Sequence, residues 1–142
     1  MKLIVVSGRS GSGKTIALRV LEDLGYYCVD NLPVALLSQL VQELRGKYDN
    51  IAVSIDVRNI PEHGEEVERL LGQIRQASDI QFSSIFTDAD NATLIKRYSE
   101  SRRLHPLSRL QLSLDQAIIH ETNLLSPLSA SADLRIDTSN LS

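Results

Sequence analysis

The residues Gly8-Arg9-Ser10-Gly11-Ser12-Gly13-Lys14-Thr15 have the types and spacing to hold a polyphosphate, as a complete G-x-x-x-x-G-K-[ST]. A phosphate group needs several donors converging at short range. Glycines let the backbone curl so that successive N–H groups point inward, and a helix starting near Gly13 adds its positive end. Lys14 would then sit on the β- and γ-phosphates, and the Thr15 hydroxyl would coordinate Mg²⁺. The plain alternative is a chance match in a flexible turn. Against it, the motif lies between an apolar run that reads as a strand and a stretch that reads as a helix, the context such chemistry requires.

A carboxylate at a strand end would complete a Mg²⁺ site, and two apolar runs end in one: Tyr27-Cys28-Val29-Asp30 and Val53-Ser54-Ile55-Asp56. Either aspartate could instead be only a turn former, and the sequence does not choose between Asp30 and Asp56 for holding Mg²⁺ or positioning a nucleophile. Lys96, Arg97, Arg102, Arg103 and Arg109 set against Glu100 give a charge of +4 in 14 residues. A lid carrying Arg102 and Arg103 would stabilise the spread negative charge of phosphoryl transfer. A solvated helix face, or a surface for an acidic partner or RNA, would have the same composition. No N-K-x-D occurs, so base preference is not legible. His63, His105 and His120 are scattered without zinc-ligand spacing, and Cys28 reads as a core residue rather than a nucleophile.

These groups must be positioned by an alternating pattern of elements. Strands are expected at Leu3–Ser7, Tyr26–Val29, Ile51–Val57, Ser84–Phe86 and Ala132–Ile136. A helix over Gly13–Leu24 carries Ile16, Ala17, Val20, Leu21 and Leu24 as its apolar face, with Gly25 at its C-cap. Further helices are marked by Leu37, Leu40, Val41 and Leu44, by Val67, Leu70, Leu71 and Ile74, and by Leu94, Ile95 and Tyr98. A last one opens with the capping box Ser113-Leu114-Asp115-Gln116. Such alternation predicts an α/β fold: a parallel five-stranded sheet with helices on both faces, three layers in all. Ligands bind such sheets beyond the carboxyl ends of the strands, which singles out Gly8, Asp30, Asp56, Asp88 and Asp137.

Composition narrows the rest. At 142 residues the chain is one domain's worth, and its net charge of −3 argues against the whole domain being a nucleic-acid clamp. Eleven of the 15 basic residues are arginine, whose planar fork suits phosphate and carboxylate. One cysteine cannot form an internal disulfide, and the apolar run Leu3–Val6 is too short for a signal peptide or membrane span. A cytoplasmic protein without membrane contact is the expectation.

With these residues in view, the chain resembles the N-terminal domain of the RapZ/YvcJ family of bacterial RNase adapter proteins. The resemblance is carried by Val6–Lys14, Leu21–Pro33, Ser54–Asn59, Arg97–Leu107 and Ala132–Thr138. It implies a kinase-like P-loop NTPase domain over residues 1–142, the N-terminal half of a two-domain protein, that slowly hydrolyses ATP and GTP with Mg²⁺. It assigns the ATP site to Gly8, Arg9, Ser10, Gly11, Ser12, Gly13, Lys14 and Thr15, and GTP contacts to Asp56, Val57, Arg58 and Asn59. In the full-length adapters it implies presentation of a small regulatory RNA to an endonuclease, which tunes aminosugar synthesis; a homo-oligomer is left open. Two other readings of the same residues stand beside it: a kinase moving the γ-phosphate to a small metabolite, and a protein-interaction module with a vestigial nucleotide site.

Overall fold

The structure is a computed structural model and describes residues 1–8, 12–55, 64–101 and 114–139. Its strands are β1 (Lys2–Gly8), β2 (Tyr27–Val29), β3 (Asn50–Ser54), β4 (Gln81–Asp88) and β5 (Leu134–Asp137). Its helices are α1 (Lys14–Asp23), α2 (Leu37–Leu44, entered through a 3₁₀ turn at Val34–Leu36), α3 (Gly64–Arg75), α4 (Asn91–Ser101) and α5 (Leu114–Ser131). All strand pairs are parallel, in the order β2-β3-β1-β4-β5. The chain passes from β1 to the edge strand β2, returns inward to β3, then crosses to the other side through β4 and β5. The reversal places a crevice at the carboxyl end of β1, where the phosphate motif begins.

One face of the sheet carries the larger core. Leu3, Val5, Ile51, Val53 and Phe86 pack there with Leu37 and Val41 of α2, Leu71 and Ile74 of α3, and Ala117 and Leu125 of α5. Leu40, Leu44 and Leu70 pack at its margin, as their helical spacing predicts. Glu121 shares the buried face of α5 with Ala117 and Leu125 and is engaged in an interaction there. Arg75 of α3 lies over the Phe82 ring at 4.5 Å and donates to Asp133 at 2.9 Å, just before β5. That hydrogen bond holds the Asp133 carboxyl below the ordinary carboxylate range.

The other face is covered by α1 through a smaller cluster of Val6, Leu18 and Ala52 with Ile4, Ala17, Leu21, Tyr26 and Cys28. Here the expected apolar face of α1 needs correction. Ala17, Leu18 and Leu21 meet the sheet, whereas Ile16, Val20 and Leu24 are 60%, 54% and 69% exposed. A stripe at i, i+4, i+8 reads as a buried face, but three strands of short side chains (β2, β3, β1) take only the narrow ridge around Leu18. Val20→Lys is therefore expected to change stability by no more than about 0.5 kcal/mol in urea unfolding. A loss of several times that would place the flank in the core after all.

Other boundaries follow the backbone. Gly25, with φ of 97°, ends α1 in a Schellman motif: Tyr26 N–H donates to Leu21 O and Gly25 N–H to Glu22 O, both at 3.0 Å. The β4 strand runs well beyond Ser84–Phe86, since polar Gln81 and Ser83 pair with β1 through Lys2 and Ile4. The β3 strand stops at Ser54, and residues 56 and 57 of the expected Ile51–Val57 strand lie outside the described residues. The β5 strand starts at Leu134 rather than Ala132. Ser113 of the expected capping box is also outside the description, and α5 is described from Leu114. Among the described residues no helix is long and apolar enough to cross a membrane.

Candidate functional site

The carboxyl end of β1 delivers the chain into the motif at Gly8, and α1 takes it up at Lys14. Gly8 pairs with Thr87 of β4 and lies so close that a Cβ there would come within 2.2 Å of Thr87 O. Gly13 precedes α1 with φ of 96°, a left-handed conformation that favours glycine. Ser12 and Gly13 fold back onto the sheet exits. The Ser12 hydroxyl is buried and shares a hydrogen bond with Thr87 Oγ1 at 2.8 Å, and Thr87 Oγ1 lies 3.3 Å from Ser7 O. Thr138, just past β5, directs its hydroxyl at Ser12 O at 2.8 Å and Asp88 O at 3.0 Å.

Lys14 and Asp30 are held by consecutive residues at the exit of β3. Half-buried Lys14 points its ammonium at Ile55 O, a long 3.5 Å contact. Asp30 accepts a hydrogen bond from Ser54 Oγ, which in turn accepts the Asn31 N–H at 2.8 Å. Asn31 has φ of 56°, and Leu32 N–H donates to Ser54 O at 2.9 Å, so the chain turns sharply off β2 and leaves the Asp30 carboxylate fixed but exposed. Thr15 is exposed in the first turn of α1. The Lys14 ammonium and the anchored Asp30 carboxylate thus lie at the carboxyl end of β3, with the Thr15 hydroxyl in the first turn of α1. This is a donor set for phosphate oxygens and for a hard cation such as Mg²⁺.

The remaining strand-end carboxylates bind their own backbone. Asp88 accepts the Ala89 N–H at 2.8 Å, and Asp137 accepts the Ser139 N–H at 2.9 Å, with hydrogen bonding to Ser139 holding the Asp137 carboxyl below its usual range. Ser139 Oγ accepts the Asp90 N–H at 2.8 Å, and Asp90 in turn caps α4 through the Thr93 N–H at 2.7 Å. Cys28 lies in the α1 cluster, its thiol directed at Leu18 O at 3.4 Å. Burial, and then the nearby Glu22 charge, push that thiol up from its ordinary range, the environment of an unreactive core cysteine. Arg9, Ser10, Gly11, Asp56, Val57, Arg58, Asn59, Arg102 and Arg103, all expected at the site, lie outside the described residues.

Sequence reasoning missed Thr87 and Thr138. Each is a single polar residue at a strand end, 75 and 126 positions from the serine it binds. The only local hint was a hydroxyl residue where the β5 run closes.

The chain is similar to known proteins over its whole length. The family model described as RapZ-like N-terminal domain matches residues 1–142. A protein of Tolumonas auensis named nucleotide-binding protein is 77% identical over the whole chain, and one of Aeromonas salmonicida with the same name is 69% identical. The chain spans 49% of the length of each. Among solved structures, shikimate kinase from Bacteroides thetaiotaomicron matches with a TM-score of 0.60 at 16% identity, covering 98% of this chain and 88% of the kinase. The YorR protein of Bacillus subtilis, in complex with phosphorylated GDP, gives 0.57 at 16% identity, covering 96% and 85%. At such identities the likeness is one of fold alone.

Proposed function

The chain belongs to the RapZ-like N-terminal domain family, and from that premise we propose that it binds ATP or GTP with Mg²⁺ and hydrolyses it slowly, as the regulatory half of a longer RNA-handling protein. The observation that carries this reading is the strand–loop–helix passage from Gly8 to Lys14, with Lys14 and Asp30 held at adjacent residues of the β3 exit. Lys14 exchanges its weak carbonyl contact for the β- and γ-phosphates. The first-turn N–H groups of α1 meet the same oxygens, where the helix end favours negative charge. Thr15, with Asp56 or Asp30, supplies oxygen donors to Mg²⁺; the ion's role is to neutralise charge on the phosphate oxygens. Whichever of Asp30 and Asp56 does not serve the ion orients the attacking water, and Arg102 or Arg103 stabilises the spreading charge. Slow turnover fits a switch better than a metabolic catalyst.

In the full-length protein, nucleotide occupancy would set the shape that presents a small regulatory RNA to an endonuclease. The test is to measure RNA affinity and amide exchange of the full-length protein with and without Mg²⁺–nucleotide. A change in both is expected, and no change in either would sink the regulatory role. The exposed, anchored Asp30 carboxylate also suits an acceptor hydroxyl, so transfer to a small metabolite is the second reading. Incubation with a metabolite pool separates the two: only water as acceptor removes the kinase. Partner binding undisturbed by Lys14→Ala would favour an interaction module with a vestigial site.

A further inference from the structure

We infer that Thr138 is a positioning residue for the phosphate loop, aiming the Gly13 N–H at the bound phosphate from the far edge of the sheet. The peptide joining Ser12 to Gly13 is planar and trans, so its C=O and N–H point in opposite directions. The Thr138 hydroxyl lies 2.8 Å from that carbonyl and fixes it against the exit of β5. The Gly13 N–H is thereby turned away from the sheet exits, at the amino end of α1, where an anion would meet it.

The backbone of Thr138 makes it an anchor. Its own N–H donates to Asp88 O at 2.7 Å, tying it to β4, while its single hydroxyl proton is shared between Ser12 O at 2.8 Å and the same Asp88 carbonyl at 3.0 Å. Its methyl group sits 3.5 Å from where a Gly13 Cβ would be, an ordinary van der Waals distance. The residue is buried, so water does not readily replace the hydroxyl. Ser12 Oγ is separately committed to Thr87, which leaves the Ser12–Gly13 peptide held at both its side chain and its carbonyl. The fit of the loop to phosphate therefore depends on a residue 126 positions away, outside the motif itself.

This inference rests on the phosphate-loop reading above, and the test separates the two. Nucleotide affinity is measured by calorimetry, with Mg²⁺, for the chain and for Thr138→Val, Thr138→Ser and Lys14→Ala, with inorganic tripolyphosphate as a probe that lacks a base. Thr138→Val keeps the shape and loses the hydroxyl, and should weaken ATP and tripolyphosphate alike by about 5- to 10-fold, the worth of one hydrogen bond. Thr138→Ser keeps the hydroxyl and should bind within about 2-fold of the parent. Titrating well below each variant's unfolding midpoint keeps a purely structural loss out of the comparison. If Thr138→Val binds like the parent while Lys14→Ala does not, the positioning role is overturned. It is equally overturned if serine fails to rescue. If Lys14→Ala also binds like the parent, the phosphate-loop reading itself falls.

Discussion

Replacing Gly8 by alanine is expected to destabilise the fold by about 2–4 kcal/mol, lowering the urea midpoint by about 1–2 M. The added Cβ would lie 2.2 Å from Thr87 O, 2.3 Å from Thr87 Oγ1 and 2.8 Å from Ser12 Oγ. Thr87 cannot retreat cheaply. It belongs to β4, which is paired with β1 from Gln81 to Thr87, and its hydroxyl also holds the buried Ser12. The backbone adds to the cost, because φ at Gly8 is 154°, a region that L side chains seldom adopt. Relief by spreading β1 from β4 would cost ladder hydrogen bonds at the centre of the sheet, and relief by moving Ser12 would displace the loop. A variant with parental stability would show that the approach of Gly8 to Thr87 is looser than described.

Lys14→Ala is expected to act on nucleotide binding. The Lys14 ammonium reaches Ile55 O only at a long 3.5 Å. Against phosphate the same ammonium makes charge-assisted hydrogen bonds, and losing them should weaken nucleotide binding by about 10- to 100-fold. The two variants are complementary: one breaks the frame that holds the loop, the other removes the charge it presents. Unchanged affinity in a folded Lys14→Ala chain would contradict the assignment of the motif to phosphate.

How far the sequence could be read depended on the range over which its signals act. The phosphate motif is local, eight consecutive residues whose flanking strand β1 and helix α1 stand where they are expected. Gly25 was equally legible, since a glycine after a periodic run marks a C-cap. The packing side of α1 was not. Periodicity groups Ile16, Ala17, Val20, Leu21 and Leu24 on one face, but only the sheet's position shows that Leu18 joins Ala17 and Leu21 against it while the other three stay exposed. The extent of β4 was hidden for a similar reason: Gln81 and Ser83 belong to it through pairing with β1, not through hydropathy. Asp30 was singled out by its place at a strand end, yet its anchor, Ser54, is visible only once β2 and β3 lie side by side. Thr87 and Thr138 illustrate the limit most clearly. Their roles arise from contacts across 75 and 126 residues, for which a single sequence carries no local signature.

Binding of nucleotide at the loop that opens α1 is the central claim, and calorimetric titration of the chain with ATP and with GTP, each with and without Mg²⁺, tests it most directly. Saturable binding that is strengthened by Mg²⁺ and lost in Lys14→Ala is the expected result, and the ratio of the two affinities would give the base preference. No heat of binding at millimolar concentrations of either nucleotide would contradict it.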